Sequence, residues 1–229
     1  MNSAIDATAS TPHTPDPDAD ADPVGSGSGA RPPWFGHDRG LGIFLVVASA
    51  LGFLAAFDLS VEKVKKLEDP GHTLSCDLNP FISCSGVMEF PQSQIFGFPN
   101  QFIGVAAFVF PLLLGVLLIS RTPIPGWVMV GLNIGLVGGV ALVMYLFVQS
   151  VFVIGIGCPW CMVVWLVTIP SFCLVTAYNA LHGNFGAGVA ANDWVRSFAR
   201  QAPWFAVLWL LVIAACVFVG FSTYFLSLV

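Results

Sequence analysis

The sequence predicts an all-α membrane protein with five transmembrane helices. Hydrophobic residues make up 56% of the 229 residues and charged residues only 9%, a composition unlike that of soluble domains. Most of the charge lies near the N-terminus or in short connections between apolar runs, and five of those runs reach the roughly 20 residues that cross a bilayer. The net charge of −5 comes mainly from an acidic N-terminal tail, so nothing indicates nucleic-acid binding.

The sequence predicts two regions: a disordered cytoplasmic tail at residues 1–39 and a five-span membrane catalytic domain at residues 40–229. The tail is rich in Ala, Asp, Pro, Ser and Thr and cannot bury a core. It lacks the cationic start and early apolar run of a cleavable signal peptide, so we expect the first span to act as an uncleaved anchor.

The predicted spans cover residues 40–60, 101–120, 126–148, 160–181 and 203–228. The first continues into a polar extension in which Glu62 and Lys66 are spaced i,i+4, which indicates a helix that projects into water. The third carries Gly131, Gly135 and Gly139 at four-residue spacing. Such a stripe lets helix backbones approach closely, so we expect this span inside a tight bundle.

Charge placement predicts that the N-terminus lies inside. The inner segments then hold five arginines and the outer segments three lysines, a modest positive-inside bias. The inner residues are Arg31, Arg39, Arg121, Arg196 and Arg200, and the outer ones are Lys63, Lys65 and Lys66. This orientation places the first loop, the start of the fourth span and the C-terminus on the outer face.

The fourth span begins at Cys158-Pro159-Trp160-Cys161. Residues i and i+3 share a helix face, so these thiols can close a small disulfide, and the positive end of the helix stabilises a thiolate. The spacing is typical of redox-active pairs, although two cysteines at this spacing also make half of a zinc site. A cysteine pair of this kind at a membrane surface is the strongest indication of function in the sequence.

The loop between spans one and two holds a second pair, Cys76 and Cys84, with Asn79-Pro80 as a turn signal between them. Either these cysteines form a static disulfide that stiffens the loop, or they take part in redox chemistry. A four-cysteine zinc site is disfavoured because an oxidising compartment competes for the thiolates. Cys173 and Cys216 lie within spans and are most simply small hydrophobic residues.

Together these motifs resemble the vitamin K epoxide reductase family. The resemblance covers about residues 40–181 and is carried by three segments: Cys76-Asp77-Leu78-Asn79-Pro80-Phe81-Ile82-Ser83-Cys84-Ser85-Gly86-Val87-Met88, Ser93-Gln94-Ile95-Phe96-Gly97-Phe98-Pro99, and Cys158-Pro159-Trp160-Cys161. It implies a four-helix bundle around a quinone site, with one peripheral helix and an outer cysteine-bearing loop.

The resemblance also implies a function. Bacterial members oxidise thiols of extracytoplasmic proteins and pass the electrons to a membrane quinone, here menaquinone or ubiquinone. Cys76 and Cys84 would accept electrons from a partner, Cys84 would attack Cys158, and Cys161 would face the quinone. Many members carry a thioredoxin-like domain after the fifth span. This chain ends at Val229, so we expect a separate thioredoxin-like (DsbA-like) partner and a location in the bacterial cytoplasmic membrane.

The expected quinone contacts are Ser93, Phe96, Met88, Ile154 and Trp165. Ser93 matches a hydroxyl position of the family, though it could instead cap the next helix. Trp165 stands where the vertebrate enzymes have a tyrosine four residues after the second C-x-x-C cysteine. The missing phenol argues against epoxide reduction.

Two alternatives to a thiol oxidase of this family are an unrelated enzyme with the same chemistry and a membrane protein that is not an enzyme. An unrelated four-span disulfide oxidase also couples thiols to quinone, but its C-x-x-C pair precedes the wider pair, the reverse of the order here. A transporter or structural membrane protein would use the disulfides only as braces. Ionisable residues deep in the spans would favour transport. The spans contain essentially no ionisable residues beyond Asp58, which lies near the end of one span.

Overall fold

In the computed structural model, the described residues are 33–69, 71, 73–77 and 82–226, with side chains described up to Ser222. Most of the predicted disordered tail and the predicted Asn79-Pro80 turn therefore lie outside them. Residues 33–39 are described. Trp34–Gly36 form a 3-10 turn, and Phe35 is buried, so packed residues precede the predicted boundary at Gly40.

The described chain is helical, as predicted. In chain order the α-helices are α1 (Asp38–Glu68), α2 (Cys84–Met88), α3 (Asn100–Ile119), α4 (Gly126–Val148), α5 (Pro159–Leu181), α6 (Ala187–Ala190), α7 (Asp193–Arg200) and α8 (Ala202–Leu226). Among the described residues, α1, α3, the helix that begins with α4, α5 and α8 are long and apolar enough to cross a membrane. This confirms the all-α fold class with five spans.

Helix α1 continues beyond its apolar run to Glu68, as its polar extension predicts. Lys65 Nζ lies 3.0 Å from Glu62 Oε1, and Lys66 Nζ lies 2.7 Å from Glu89 Oε1. Glu62 thus pairs with Lys65, and Lys66 reaches a carboxylate that follows α2. The extension is a support for the loop that carries the first cysteine pair.

The backbones of α1 and α3 approach each other closely at two glycines. A Cβ atom added at Gly42 would lie 2.8 Å from the Gly115 carbonyl oxygen, and one added at Gly115 would lie 2.9 Å from the Gly42 oxygen. Further along, a Cβ atom at Gly52 would overlap the ring of Phe108. These contacts require glycine, so small residues do bring two spans together, but not the residues expected from the sequence.

Two of the three glycines of the α4 stripe face outward, so the stripe does not form the expected tight contact; Gly139 is half-buried, with its Cβ position 3.7 Å from Thr168. Gly131 and Gly135 are exposed, and a Cβ atom added at either would have no described neighbour within 4 Å. The larger side chains on the other face of α4 are buried instead, among them Leu132, Leu136 and Val140. Helix α4 packs with this apolar face because it buries more surface than glycines can.

Helix α5 is the centre of the bundle. It contacts α1, α4, α7 and α8, and its Ile169 and Val175 are fully buried. The helix continues through Pro170. Helix α8 packs against α5 and against a π-helical turn, Gln149–Ile154, that follows α4, and few of its described side chains are buried, which agrees with a peripheral fifth helix.

One end of this bundle carries both cysteine pairs, and we call it the cysteine end. There α1 finishes, α4 passes into its π-helical turn, and α3 and α5 begin. The opposite end, where α1, α4 and α8 begin, is called the far end. At the far end the Tyr178 hydroxyl donates a 2.7 Å hydrogen bond to Asp38 Oδ1, which joins α5 to the start of α1.

Candidate functional site

The site is built from the N-terminus of α5. Pro159 is suited to the first helical position, where its missing N–H is not needed, and Cys158 is the N-cap residue. The Cys158 Sγ accepts the backbone N–H of Cys161 at 3.4 Å, as an N-cap oxygen would. Cys158 and Cys161 are free thiols in this structure. The C-x-x-C pair therefore opens a helix, as predicted.

The second pair, Cys76 and Cys84, forms a disulfide with the two Cα atoms 5.7 Å apart. Cys84 is the first residue of α2, whose N-cap Ser83 accepts the Gly86 N–H at 3.0 Å. Both cysteines are buried. In this disulfide, two of the four thiols are not available as metal ligands.

The two pairs are in direct contact. Cys158 Sγ lies 3.6 Å from Cys84 Sγ. A backbone link holds this distance, since Ile82 forms a parallel bridge with Gly157 and Ser83 N–H donates to the Gly157 carbonyl at 3.0 Å. The residues just before each reactive cysteine are thus tied together, which brings two cysteines 74 positions apart into position for thiol–disulfide exchange.

Asp77 holds the loop that carries the Cys76–Cys84 disulfide in place. Its Oδ1 accepts the Ser83 hydroxyl at 2.7 Å and the Ser85 N–H at 3.0 Å, and its Oδ2 accepts the Leu74 N–H at 3.3 Å. Burial raises the pKa of Asp77, but these hydrogen bonds from Ser85, Ser83 and Leu74 outweigh burial and hold the pKa below its ordinary value. The carboxylate therefore joins the segment next to Cys76 to the start of α2.

The other end of α2 is held by the extension of α1. The buried Lys63 donates from Nζ to the Met88 carbonyl oxygen at 3.2 Å, and Lys66 pairs with Glu89. The hydrogen bond from Lys66 holds the pKa of Glu89 below its ordinary value. Cations near the C-terminus of a helix interact favourably with the helix dipole. Helix α2 is thus bound at both ends, by Asp77 and by the two lysines.

The surroundings of Cys158 favour its thiolate. A hydrogen bond from the Cys161 thiol lowers the pKa of Cys158 most, and the backbone N–H groups of Cys161 and Trp160 add to this, against the opposing effect of burial. A lower thiol pKa makes a sulfur a better leaving group in exchange reactions. Cys158 is suited to receive and release the neighbouring sulfur of Cys84.

A cavity of about 140 Å³ lies beside the four cysteines, between α1, α3, α4 and α5. Its volume is close to that of an engineered cavity of about 150 Å³ that accommodates benzene. The lining includes Cys84, Cys158, Cys161 and four of the five predicted quinone contacts, namely Met88, Ser93, Ile154 and Trp165. The lining is mostly apolar, so the cavity can hold an aromatic ring next to Cys161.

Two of the predicted contacts differ in detail from expectation. Phe96 does not line the cavity; 63% of its surface is exposed, and its ring lies 6.4 Å from that of Phe98. The Ser93 hydroxyl donates to the backbone carbonyls of Met88 and Phe90, at 3.0 and 2.8 Å. Ser93 does not cap α3, whose N-cap is Pro99. It braces the short 3-10 helix Pro91–Gln94 over the cavity.

Trp165 forms a wall of the cavity. It is 4% exposed, and Phe147 of α4 packs edge-on against its ring, with ring centroids 5.3 Å apart. Such an edge-to-face pair fixes the orientation of the indole. The position that carries a phenol in the vertebrate enzymes therefore holds an apolar surface here.

The cavity also contains polar groups that sequence reasoning missed. Gln92 Oε1 and Gln101 Nε2 are buried without a hydrogen-bond partner among the described residues, and both residues line the cavity. Asn100 accepts the Ile95 N–H and donates to the Gln92 carbonyl, at 3.1 and 2.8 Å, and so holds the 3-10 segment against α3. In the sequence, these polar groups could have been suspected only from the amide side chains that cluster at the start of an apolar span.

The remaining cysteines lie away from this centre. Cys173 and Cys216 are half-buried free thiols that pack among apolar side chains around Ile169 and Ile213. Neither lines the cavity. Their surroundings agree with the expectation that they act as small hydrophobic residues.

Comparison with known proteins gives one finding. No curated protein matches the chain. The model of the vitamin K epoxide reductase family matches residues 43–176, more than half of the chain, and this range contains both cysteine pairs and the cavity. The chain therefore belongs to the vitamin K epoxide reductase family, whose members are membrane oxidoreductases with quinone-linked thiol chemistry.

Proposed function

We propose that the protein is a quinone-dependent thiol oxidase. It takes two electrons from a reduced, extracytoplasmic thioredoxin-like protein through Cys76 and Cys84 and passes them through Cys158 and Cys161 to a membrane quinone. The observation that carries this proposal is the 3.6 Å distance between Cys84 Sγ and Cys158 Sγ, with Cys161 on the wall of a ring-sized cavity. Two static disulfides would need neither feature.

The transfer between the pairs consists of two thiol–disulfide exchanges. The Cys84 thiolate attacks Cys158 of the Cys158–Cys161 disulfide, a Cys84–Cys158 bond forms, and Cys161 leaves as a thiolate. The Cys76 thiolate then attacks Cys84, a Cys76–Cys84 bond forms, and Cys158 leaves as a thiolate. The loop pair has then lost two electrons and the C-x-x-C pair has gained them.

The state of the four cysteines in this structure corresponds to one point of this cycle. The loop pair is oxidised and the C-x-x-C pair is reduced, which is the product of the two exchanges. The lowered pKa of Cys158 helps the second exchange, because Cys158 is the group that leaves. Bringing the sulfurs together again after each cycle requires no large movement, since Ser83 and Gly157 already join the two segments.

The cavity fits a quinone ring as electron acceptor. A bound quinone supplies a two-electron, two-proton sink. Gln101 Nε2, a buried donor without a described partner, would donate to a quinone oxygen, and Gln92 Oε1 would accept from a quinol hydroxyl. The indole of Trp165 would pack on the ring, and the cavity would exclude water from Cys161.

The test measures quinone reduction by the purified, reconstituted chain. Quinol should form when a reduced thioredoxin-like protein and a menaquinone or ubiquinone analogue are both supplied. Cys161→Ala should abolish quinol formation, while Cys173→Ala, a matched change of a half-buried cysteine outside the cavity, should leave the rate unchanged. Full activity in Cys161→Ala would contradict the proposal.

A trapping experiment tests the connection between the pairs. In the double variant Cys76→Ala/Cys161→Ala, neither resolving cysteine remains, so oxidation should yield a Cys84–Cys158 disulfide that peptide mass spectrometry detects. The distance of 3.6 Å between these sulfurs is the reason to expect it. If the two cysteines act only in static braces, no such disulfide should form, and the loop disulfide of the unaltered chain should resist mild reductant.

A further inference from the structure

Helix α7, at the far end of the bundle, has three distinct faces. Val195 packs against the core and Ala199 is buried, so this face lies on the bundle. Trp194 and Phe198, one turn apart, are 75% and 51% exposed. Arg196 and Arg200, also one turn apart, are exposed on the opposite flank from the two aromatic residues. This segregation is typical of helices that lie in the plane of a membrane surface.

Aromatic stacking joins α7 to a membrane-spanning helix. The Trp194 and Phe198 rings have centroids 5.6 Å apart, and the Phe198 and Phe205 centroids are 4.3 Å apart. Phe205 lies in the first turn of α8. The aromatic flank of α7 is therefore at the level where an apolar span begins, which is the depth of the membrane interface.

Other tryptophans mark the same level. Trp204 at the start of α8, Trp127 at the start of α4 and Trp34 ahead of α1 are all at least half exposed. Tryptophan is enriched at the boundary between lipid and water, where its apolar ring and N–H group suit both sides. With the aromatic flank of α7 facing the lipid, the opposite flank with Arg196 and Arg200 faces the headgroups.

Among the residues that the structure describes, neither arginine has a carboxylate counter-ion. No described carboxylate forms an ion pair with Arg196 or Arg200, and Asp193, the only acidic residue in α7, lies at the N-terminus of that helix. A guanidinium group matches the oxygens of a phosphate with two parallel hydrogen bonds. We propose that α7 is an interfacial helix that binds the headgroups of anionic phospholipids through Arg196 and Arg200.

Fluorescence quenching by brominated lipids tests this surface with the full chain in nanodiscs. Phosphatidylglycerol brominated in its acyl chains should quench the Trp194 signal, taken as the difference from Trp194→Phe, more strongly than brominated phosphatidylcholine does. Each basic residue near an anionic surface adds about a fivefold factor to binding, so Arg196→Gln/Arg200→Gln should lower the relative affinity for phosphatidylglycerol by roughly tenfold or more at low ionic strength.

Matched variants distinguish the effect of the α7 arginines from general effects of charge and of misfolding. Arg196→Lys/Arg200→Lys should keep most of the preference, and so should Arg121→Gln, which removes an exposed arginine outside α7. Circular dichroism should show that every variant keeps its helix content. The proposal is overturned if the double glutamine variant retains the preference, if Arg121→Gln loses it equally, or if Trp194→Phe leaves the quenching unchanged. Competition by inorganic phosphate beyond that of chloride at equal ionic strength would also overturn it.

Discussion

At the residue scale, the central choice is a cysteine in the N-cap position of α5. Serine, threonine, asparagine and aspartate usually fill this position because their oxygens accept a free backbone N–H. Cys158 makes the same contact with sulfur, so the N–H groups that would stabilise a cap stabilise a thiolate instead. The same backbone geometry thus begins the helix and activates the residue that we propose to exchange with Cys84.

Asp77 should control how well the two pairs meet. Its carboxylate ties the segment beside Cys76 to the first turn of α2, so Asp77→Asn should weaken these hydrogen bonds by about 1 kcal/mol and slow formation of the Cys84–Cys158 disulfide roughly fivefold. The rate is measured in the Cys76→Ala/Cys161→Ala background. Asp69→Asn is the control, since Asp69 Oδ1 accepts the Gly71 N–H in the same loop and no hydrogen bond from the described residues of α2.

The effect of Asp77 has a defined pH dependence. Because its pKa in the folded chain lies below the ordinary value of 3.8, its contribution is present at neutral pH and is lost as the pH falls through the folded value. The difference between the unaltered loop and Asp77→Asn should therefore vanish under acid conditions. A difference that persists well below pH 3.8, or an equal effect of Asp69→Asn, would contradict the assigned role.

Single residues also show where sequence reasoning ends. The four cysteines could be assigned to two pairs because their spacings carry chemical meaning by themselves. Asp77, Gln92 and Gln101 carry no such spacing, and their partners become neighbours only when α2 and the 3-10 segment close over α3. Phe96 was expected at the cavity because it lies in a recognisable motif, yet the turn after Gln94 directs it to the surface.

At the scale of elements, the glycines of α4 and those of α1 and α3 both suggest close helix packing, but their environments differ. The regular stripe on α4 suggested close packing, while the close contact is made by isolated glycines in α1 and α3. Spacing along one helix cannot reveal which face meets a neighbour, since that depends on the larger side chains of the other faces. Span number and type were predictable from composition, but helix pairing was not.

A pair of alanine substitutions should separate these environments. Gly115→Ala should destabilise the bundle by about 1–3 kcal/mol, because its Cβ atom would meet the Gly42 carbonyl oxygen at 2.9 Å and backbone atoms move with difficulty. Gly135→Ala, with open space around the new methyl group, should be neutral or gain up to about 1 kcal/mol from helix propensity. Detergent-induced unfolding followed by circular dichroism measures both. Equal destabilisation by the two changes would refute the packing argument.

At the scale of the whole molecule, the bundle separates two kinds of surface. The cysteine end gathers both redox pairs and the acidic and basic groups that hold α2, and the far end carries exposed tryptophans and the arginines of α7. The family match stops at residue 176, so α6, α7 and α8 lie beyond it. Helix α8 still reaches the cysteine end, where the Phe221 ring lies 3.0 Å from the position of a Cβ atom added at Gly157.

The orientation of this bundle is the last prediction, and it decides which compartment supplies the thiols. Arginines at the far end favour the cytoplasmic side by the positive-inside rule, which places the cysteine end in an oxidising compartment where the Cys76–Cys84 disulfide persists. In intact bacterial cells, a membrane-impermeant maleimide should label Gln94→Cys at the cysteine end, and should label Asn192→Cys at the far end only after permeabilisation. Both positions are exposed, and Cys173→Ala/Cys216→Ala can serve as a common background. Labelling of Asn192→Cys alone in intact cells would place the redox centre inside, where glutathione and thioredoxin keep thiols reduced, and thiol oxidation would then be the wrong direction of electron flow.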